Sequence, residues 1–146
     1  MTTLNTYLNF NGNCEVAFLF YKSVYGGEFE MLQRFKDMPE NPEFPISEAD
    51  KNRVMHVTLP ISENSVLMGS DTGGEWATNH KPGNNFSISI NTESKNEADR
   101  LFKELSNGGE IIMPMEKTFW ESYFGMFTDK FGINWMVSYD SPDRKK

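Results

Sequence analysis

The chain has 146 residues, enough for one hydrophobic core, and its 24% charged and 38% hydrophobic content fits a globular domain. With 21 acidic against 14 basic residues the net charge is −7, which repels phosphate backbones and argues against a nucleic-acid partner. Cys14 is alone, so no internal disulfide forms; no leader pattern or long apolar run marks export or a membrane, and the expected location is the cytoplasm.

Residues 6–10 alternate as a short strand. Asn11, Gly12 and Asn13 then offer N-caps to a helix whose Ala17, Phe20, Tyr21 and Val24 recur at helical spacing. Gly26 and Gly27 end it. Residues 29–35 alternate again, and 37–52, with Pro39, Pro42 and Pro45, read as a long loop of the kind used as a lid. Residues 54–61 and 65–70 are strands, followed by a polar, glycine-rich linker at 71–84 that holds Trp76 and His80.

The second half repeats this order. Residues 86–90 form a strand, and Ser94 with Glu97 makes a capping box. Ala98, Leu101, Phe102 and Leu105 give a second helix its apolar face, and Gly108 and Gly109 stop it. Residues 111–115, 123–128 and 134–139 are three further strands. The helix faces repeat at a constant offset: Ala17 to Ala98 and Val24 to Leu105 are each 81 residues apart. The expected fold is therefore α+β, with two βαβββ modules in one domain. Module 1 spans about residues 4–71, the linker 72–84, and module 2 about 85–140. Such modules can set their sheets side by side as a cupped mixed sheet, with the helices on the outer face.

Residues 117–140 (KTFWESYFGMFTDKFGINWMVSYD) are rich in aromatic side chains. They read as two strands joined by a turn at 129–132, and they place Trp120, Tyr123 and Trp135 where they could line one concave surface. Core and dimer packing is the competing fate of these rings. Alternation along residues 54–61 puts Met55, Val57 and Leu59 on one face and His56 and Thr58 on the other, so His56 either lines a cavity or is satisfied by its neighbours. His80 reads as solvated. Met31, Met68, Met113, Met115, Met126 and Met136 can line an adaptable pocket or fill core gaps. Cys14 lies at a helix start, which could lower its pKa, but no partner base is evident.

YLNFNGNCEVAFLFYKSVYGGEF, MHVTLPI, VLMGSD, EADRLFKELSNGGEIIMPMEKTFW and FTDKFGINWMVSY resemble the PhnB-like branch of the vicinal oxygen chelate superfamily. That superfamily includes glyoxalase I, bleomycin-resistance proteins and extradiol dioxygenases. The resemblance runs from about Leu4 to Tyr139 and implies the same paired βαβββ fold and a homodimer. It also implies four metal ligands, usually His and Glu, on the first and last strands of each module. TYLNF and FSISI offer none. VLMGSD offers only Asp71, expected to fall after its strand, and Met136 stands near the place of a metal-binding Glu. No metal site is expected, and a divalent metal enters only through an unrecognised one. The resemblance places a glycine after the Phe-Trp pair, where this chain has Glu121.

A methyltransferase label attached to such proteins is disfavoured. The glycine pairs end helices instead of forming a strand-to-helix turn for a nucleotide-type cofactor. The expected activity is metal-free binding of a small, partly apolar or aromatic molecule, with His56, Met68, Trp120, Tyr123 and Trp135 as ligand-binding candidates. The alternative is a metal-dependent lyase or dioxygenase of the same superfamily. A third reading is a dimer whose cavity is filled by its own aromatics.

Overall fold

The computed structural model describes residues 2–43, 45–73 and 79–141; Trp76 and the basic tail at 144–146 lie outside them. The chain divides into two compact units, Met1–Lys81 and Pro82–Lys146. The first contains β1 (Thr6–Phe10), α1 (Cys14–Tyr25), β2 (Met31–Arg34), β3 (Val54–Ser62) and β4 (Ser65–Asp71). The second contains β5 (Ile88–Thr92), α2 (Lys95–Ser106), β6 (Glu110–Lys117), β7 (Ser122–Thr128) and β8 (Asn134–Asp140). Each unit is thus βαβββ, and the fold is α+β. The sheets have the orders β1-β4-β3-β2 and β5-β8-β7-β6, with the first and last strands of each unit parallel and the other pairs antiparallel.

One face of each sheet is covered by the unit's own helix. The buried stripe of α1 is Cys14, Ala17, Phe18, Tyr21 and Val24. Phe18 therefore replaces Phe20 in the expected stripe, for a reason that lies on the sheet. A Cβ on Gly69 would meet the Phe18 ring at 2.5 Å, so the absence of a side chain on β4 makes room for that ring. In α2 the buried residues are Ala98, Leu101, Phe102 and Leu105, as the spacing predicts. Phe102 lies over Gly125 of β7 in the same way and meets Phe127 edge-on at 5.2 Å. Each such phenyl ring, fully buried, contributes roughly 2–3 kcal/mol.

Several boundaries differ from the sequence expectation, and β6 runs from Glu110 to Lys117 rather than over 111–115. Strand β2 covers only Met31–Arg34, because the chain turns into a 3-10 segment at Phe35–Asp37 closed by the Asp37 carboxylate on the Arg34 N–H. Strand β5 begins at Ile88, leaving Phe86 exposed ahead of it. Asp71 is the last residue of β4 and does not follow it.

The helix starts also differ. Asn13 is the N-cap of α1 but its side chain caps nothing. Asp71 does so from across the sheet: Oδ1 accepts the N–H groups of Gly12 at 2.8 Å and Cys14 at 2.9 Å, and Oδ2 accepts Val54 N–H at 2.9 Å. A carboxylate at this end also suits the helix dipole. At α2, Ser94 Oγ accepts Glu97 N–H, but the Glu97 carboxylate is drawn away to Arg100, so the capping box is half formed. Farther along α1, Arg34 grips Glu15 with both terminal nitrogens and holds that carboxyl below its usual pKa. No described helix is long and apolar enough to cross a membrane.

Candidate functional site

Strand alternation leaves the second face of each sheet without a helix. In the first unit Val57, Leu59, Leu67 and Gly69 face α1, so His56, Thr58, Met68 and Ser70 point the other way. Tyr7 and Asn9 of β1 join them, because Tyr7 pairs with Met68 and Asn9 with Ser70. A row Met31–Thr58–Met68–Tyr7 crosses the sheet from edge to edge. Above it sits His56, whose ring nitrogens are both engaged: Nδ1 lies 3.3 Å from the Tyr7 hydroxyl and Nε2 lies 2.8 Å from Thr58 Oγ1. Either neutral tautomer serves both contacts, because each hydroxyl partner can donate to a bare ring nitrogen or accept from a ring N–H. Of the expected candidates, His56 and Met68 therefore share one helix-free face, together with Tyr7, which sequence reasoning did not single out.

The second unit has the same construction. Its helix-free face carries a row Met113–Met126–Met136–Ser89, and Phe124, Ser138 and Asn91 form the next row. Ser138 Oγ donates to Asn91 Oδ1 at 2.6 Å. At one end of this face, Asn84, Ser87, Glu110, Met126, Thr128 and Asn134 line a depression of about 400 Å³.

Here the aromatic stretch separates, and the expectation that Trp120, Tyr123 and Trp135 line one surface is corrected. Trp135 is only 2% exposed and lies on the helix-covered face opposite Phe127, its Nε1–H donating to Asp129 Oδ2 at 2.8 Å. Tyr123 points to the same side, where its hydroxyl donates to Asp99 of α2 and the Lys95 ammonium lies over its ring. Trp120 sits in the β6–β7 turn, 43% exposed, and meets Phe124 edge-on at 6.0 Å. Alternation explains the split. Positions 123, 125 and 127 share a face, position 135 pairs with 127, and position 124 is on the other side. The turn is closed by Thr118 and Ser122, and it forces Glu121 to a φ of 63°. A non-glycine residue there costs about 1–2 kcal/mol, which accounts physically for a glycine after the Phe-Trp pair.

The Tyr123 hydroxyl has a raised pKa of about 12, first because Asp99 accepts its proton in a hydrogen bond, then through burial and the Asp99 charge. The folded value lies above the usual tyrosine value near 10. This contact therefore adds stability fully below about pH 10 and loses it as the pH rises toward 12. NMR titration of the Tyr123 ring should give that late midpoint, and Asp99→Asn should return it toward 10; an unchanged midpoint would mean that Asp99 is not the cause.

Burial, then the charges of Asp71 and Glu15, raise the pKa of the Cys14 thiol well above its usual value, the reverse of the lowering expected at a helix start. Cys14 is thus held protonated in the core. Asp71 is equally withdrawn: it is 5% exposed, and both oxygens are occupied by backbone N–H groups.

The fold's metal chemistry can be tested on the donor set. On the helix-free faces the first and last strands present Tyr7, Asn9, Met68 and Ser70 in one unit and Ser89, Asn91, Met136 and Ser138 in the other. These are phenol, amide, thioether and hydroxyl groups, whereas a divalent ion in such a fold calls for imidazole and carboxylate. No group of three or more His, Cys, Asp and Glu residues converges among the described residues. The residues present do not fit the ion.

The family model described as 3-demethylubiquinone-9 3-methyltransferase matches residues 2–138. Protein PA1353 from Pseudomonas aeruginosa is 39% identical, with a TM-score of 0.80 over 96% of this chain and 98% of that one. The PhnB protein from Bacillus cereus is 26% identical, with a TM-score of 0.70 over 94% and 99%. A glyoxalase/bleomycin resistance protein/dioxygenase family enzyme from Burkholderia phytofirmans PsJN is 16% identical, with a TM-score of 0.58 over 93% and 98%, a likeness of fold alone.

Proposed function

The chain belongs to the PhnB-like family of the vicinal oxygen chelate superfamily, the family described as 3-demethylubiquinone-9 3-methyltransferase, and from that premise we propose that it binds a small, partly apolar or aromatic molecule without a metal. The binding surface is the helix-free face of each sheet. One observation carries this reading. In a chain with 24% charged residues, the helix-free side of β1, β3 and β4 holds no Lys, Arg, Asp or Glu. A sheet face left to water is normally polar and charged. This one offers a phenol, an imidazole, a thioether, an amide and hydroxyls, the usual lining of a ligand surface.

Methyl transfer is not the activity favoured here. The chain's own side chains take up N–H groups at both helix N-termini, Asp71 those of Gly12 and Cys14 at α1 and Ser94 that of Glu97 at α2, which counts against a cofactor carboxylate or phosphate there. The second partner in this reading is another copy of the chain. The edge strand β6 exposes Ile111, Ile112 and Met113, an apolar edge that calls for a cover.

The test uses Nile red, an uncharged dye, in the presence of EDTA. Its fluorescence should rise on binding, and Met68→Asp and Met136→Asp should abolish the rise while circular dichroism stays unchanged. A rise that survives both substitutions, or one that needs added metal, would sink the reading. Sedimentation velocity on the same sample should show a dimer, and a monomer would remove the second copy.

A further inference from the structure

The two helix-free faces repeat one detail that the helix spacing did not reveal. In the first unit Asn9 of the first strand lies directly across from Ser70 of the last, with Met68 two residues before it. In the second unit Asn91 lies across from Ser138, with Met136 two residues before it. The third strand completes each row with a ring. Phe124 is paired with Ser138, and continuing the Val57–Gly69 pairing by one residue puts His56 abreast of Ser70. Asn, Ser and a planar ring therefore stand on three neighbouring strands, in the same order, in both units. Adjacent strands lie about 4.8 Å apart, so each row is roughly 10 Å long, the span of a bicyclic molecule.

In the second unit, the hydrogen bond within the pair defines what it reads. Ser138 Oγ donates its proton to Asn91 Oδ1, which leaves the Asn91 Nδ2–H groups as donors and the Ser138 oxygen lone pairs as acceptors. A donor and an acceptor side by side match a group that presents a carbonyl oxygen and an N–H along one edge. A lactam or cis-amide does so, and it carries no charge, in keeping with the uncharged row of the first unit; in the second unit the row runs on to Glu116, paired with Phe124 at the sheet edge. A carboxylate offers no donor to the serine oxygen, and an ammonium offers no acceptor to the amide.

We infer that each Asn–Ser pair, Asn9–Ser70 and Asn91–Ser138, is a subsite of its own unit that recognises the lactam edge of a neutral aromatic ligand whose ring lies toward His56 or Phe124. This rests on the ligand-binding reading of the helix-free faces and adds the chemical class. The serine and asparagine act as binding groups, and no bond is made or broken.

The probe is 2-quinolinone, a neutral aromatic lactam, against 1-methyl-2-quinolinone, which keeps the carbonyl and lacks the N–H. Binding is followed by nitrogen-15 NMR on the intact chain. The side-chain amide signals of Asn9 and Asn91 should move with 2-quinolinone, and the methylated compound should bind roughly tenfold more weakly, the effect of one lost hydrogen bond. Ser138→Ala and Asn91→Ala should erase that preference at the second unit and leave it at the first, with unchanged melting temperatures as the folding control. Equal binding of both compounds on the helix-free faces would overturn the lactam assignment and leave the ligand-binding reading standing. Shifts elsewhere on the chain, or none, would overturn the assignment as well, and the Nile red result would then decide separately whether the faces bind any apolar molecule.

Discussion

Asp71→Ala should lower the stability of the fold by about 3–5 kcal/mol, read by urea denaturation, which is a large part of the 5–15 kcal/mol typical of such domains. The carboxylate is buried at the end of β4 and receives three backbone N–H groups, from Gly12, Cys14 and Val54. Hydrogen bonds to a charged acceptor contribute about 1.5–3 kcal/mol each when taken singly, and they share one carboxylate here, so the sum is smaller than three separate bonds. Alanine leaves the donors at Cys14 and Val54 buried without an acceptor. It also unties the start of α1 from the first residue of β3. Asp71→Asn should cost less, because an amide oxygen can still serve Gly12 and Cys14 while its NH₂ faces the Val54 N–H. Amide exchange gives a second reading: the Gly12, Cys14 and Val54 amides should lose protection together. A loss below about 1 kcal/mol for Asp71→Ala would show that water replaces the carboxylate readily and that the clamp is not essential.

The second large effect is at Gly109. A Cβ there would lie 2.1 Å from the carbonyl oxygen of Thr128 and 2.8 Å from the Asp129 carbonyl carbon, both backbone atoms that cannot rotate aside. Gly109→Ala should therefore destabilise the chain by about 3 kcal/mol, at the upper end of the usual range for overpacking. The backbone it would displace leads into the turn where Asp129 accepts Phe131 and Ile133 N–H groups and the Trp135 indole, so the strain would reach the core of the second unit. Gly132→Ala is the contrast. Its φ is 87° and no atom lies within 4 Å, so it should cost only the left-handed backbone penalty of about 1–2 kcal/mol. Similar losses at the two positions, measured by chemical denaturation, would mean that the contact at Gly109 relaxes cheaply.

Neither effect was legible in the linear chain. Gly109 reads there as a helix stop, which describes its neighbour Gly108 at a φ of 82° and misses the close approach of β7. Asp71 reads as a leftover acid after a strand, and Cys14 as a thiol that a helix start could activate. Both readings fail for the same reason. The partners are 57 residues apart and meet only when β1 and β4 pair, so the helix N-terminus is filled and the thiol is sealed below it.

What the sequence determined by itself was the element order, twice βαβββ, together with the stripe of α2. Hydrophobic periodicity is local, and four buried positions at 98, 101, 102 and 105 need no knowledge of the sheet. It also held the repeated Asn, Ser and Met of the two modules, at offsets of 82 for asparagine and 68 for the others, although helix spacing alone does not bring them to notice. For β3 the apolar Val57 and Leu59 already marked the helix side, but for β7 and β8 only the tertiary structure decided it. Alternation says that Tyr123 and Phe124 point opposite ways, but not which way is inward. That follows from Phe102 resting on Gly125, which commits Tyr123 and Trp135 to the helix side and leaves Phe124, with Trp120 against it, on the helix-free side. The physical reason is that a period of two fixes relative orientation, whereas the choice of face depends on where a distant helix finds room to pack.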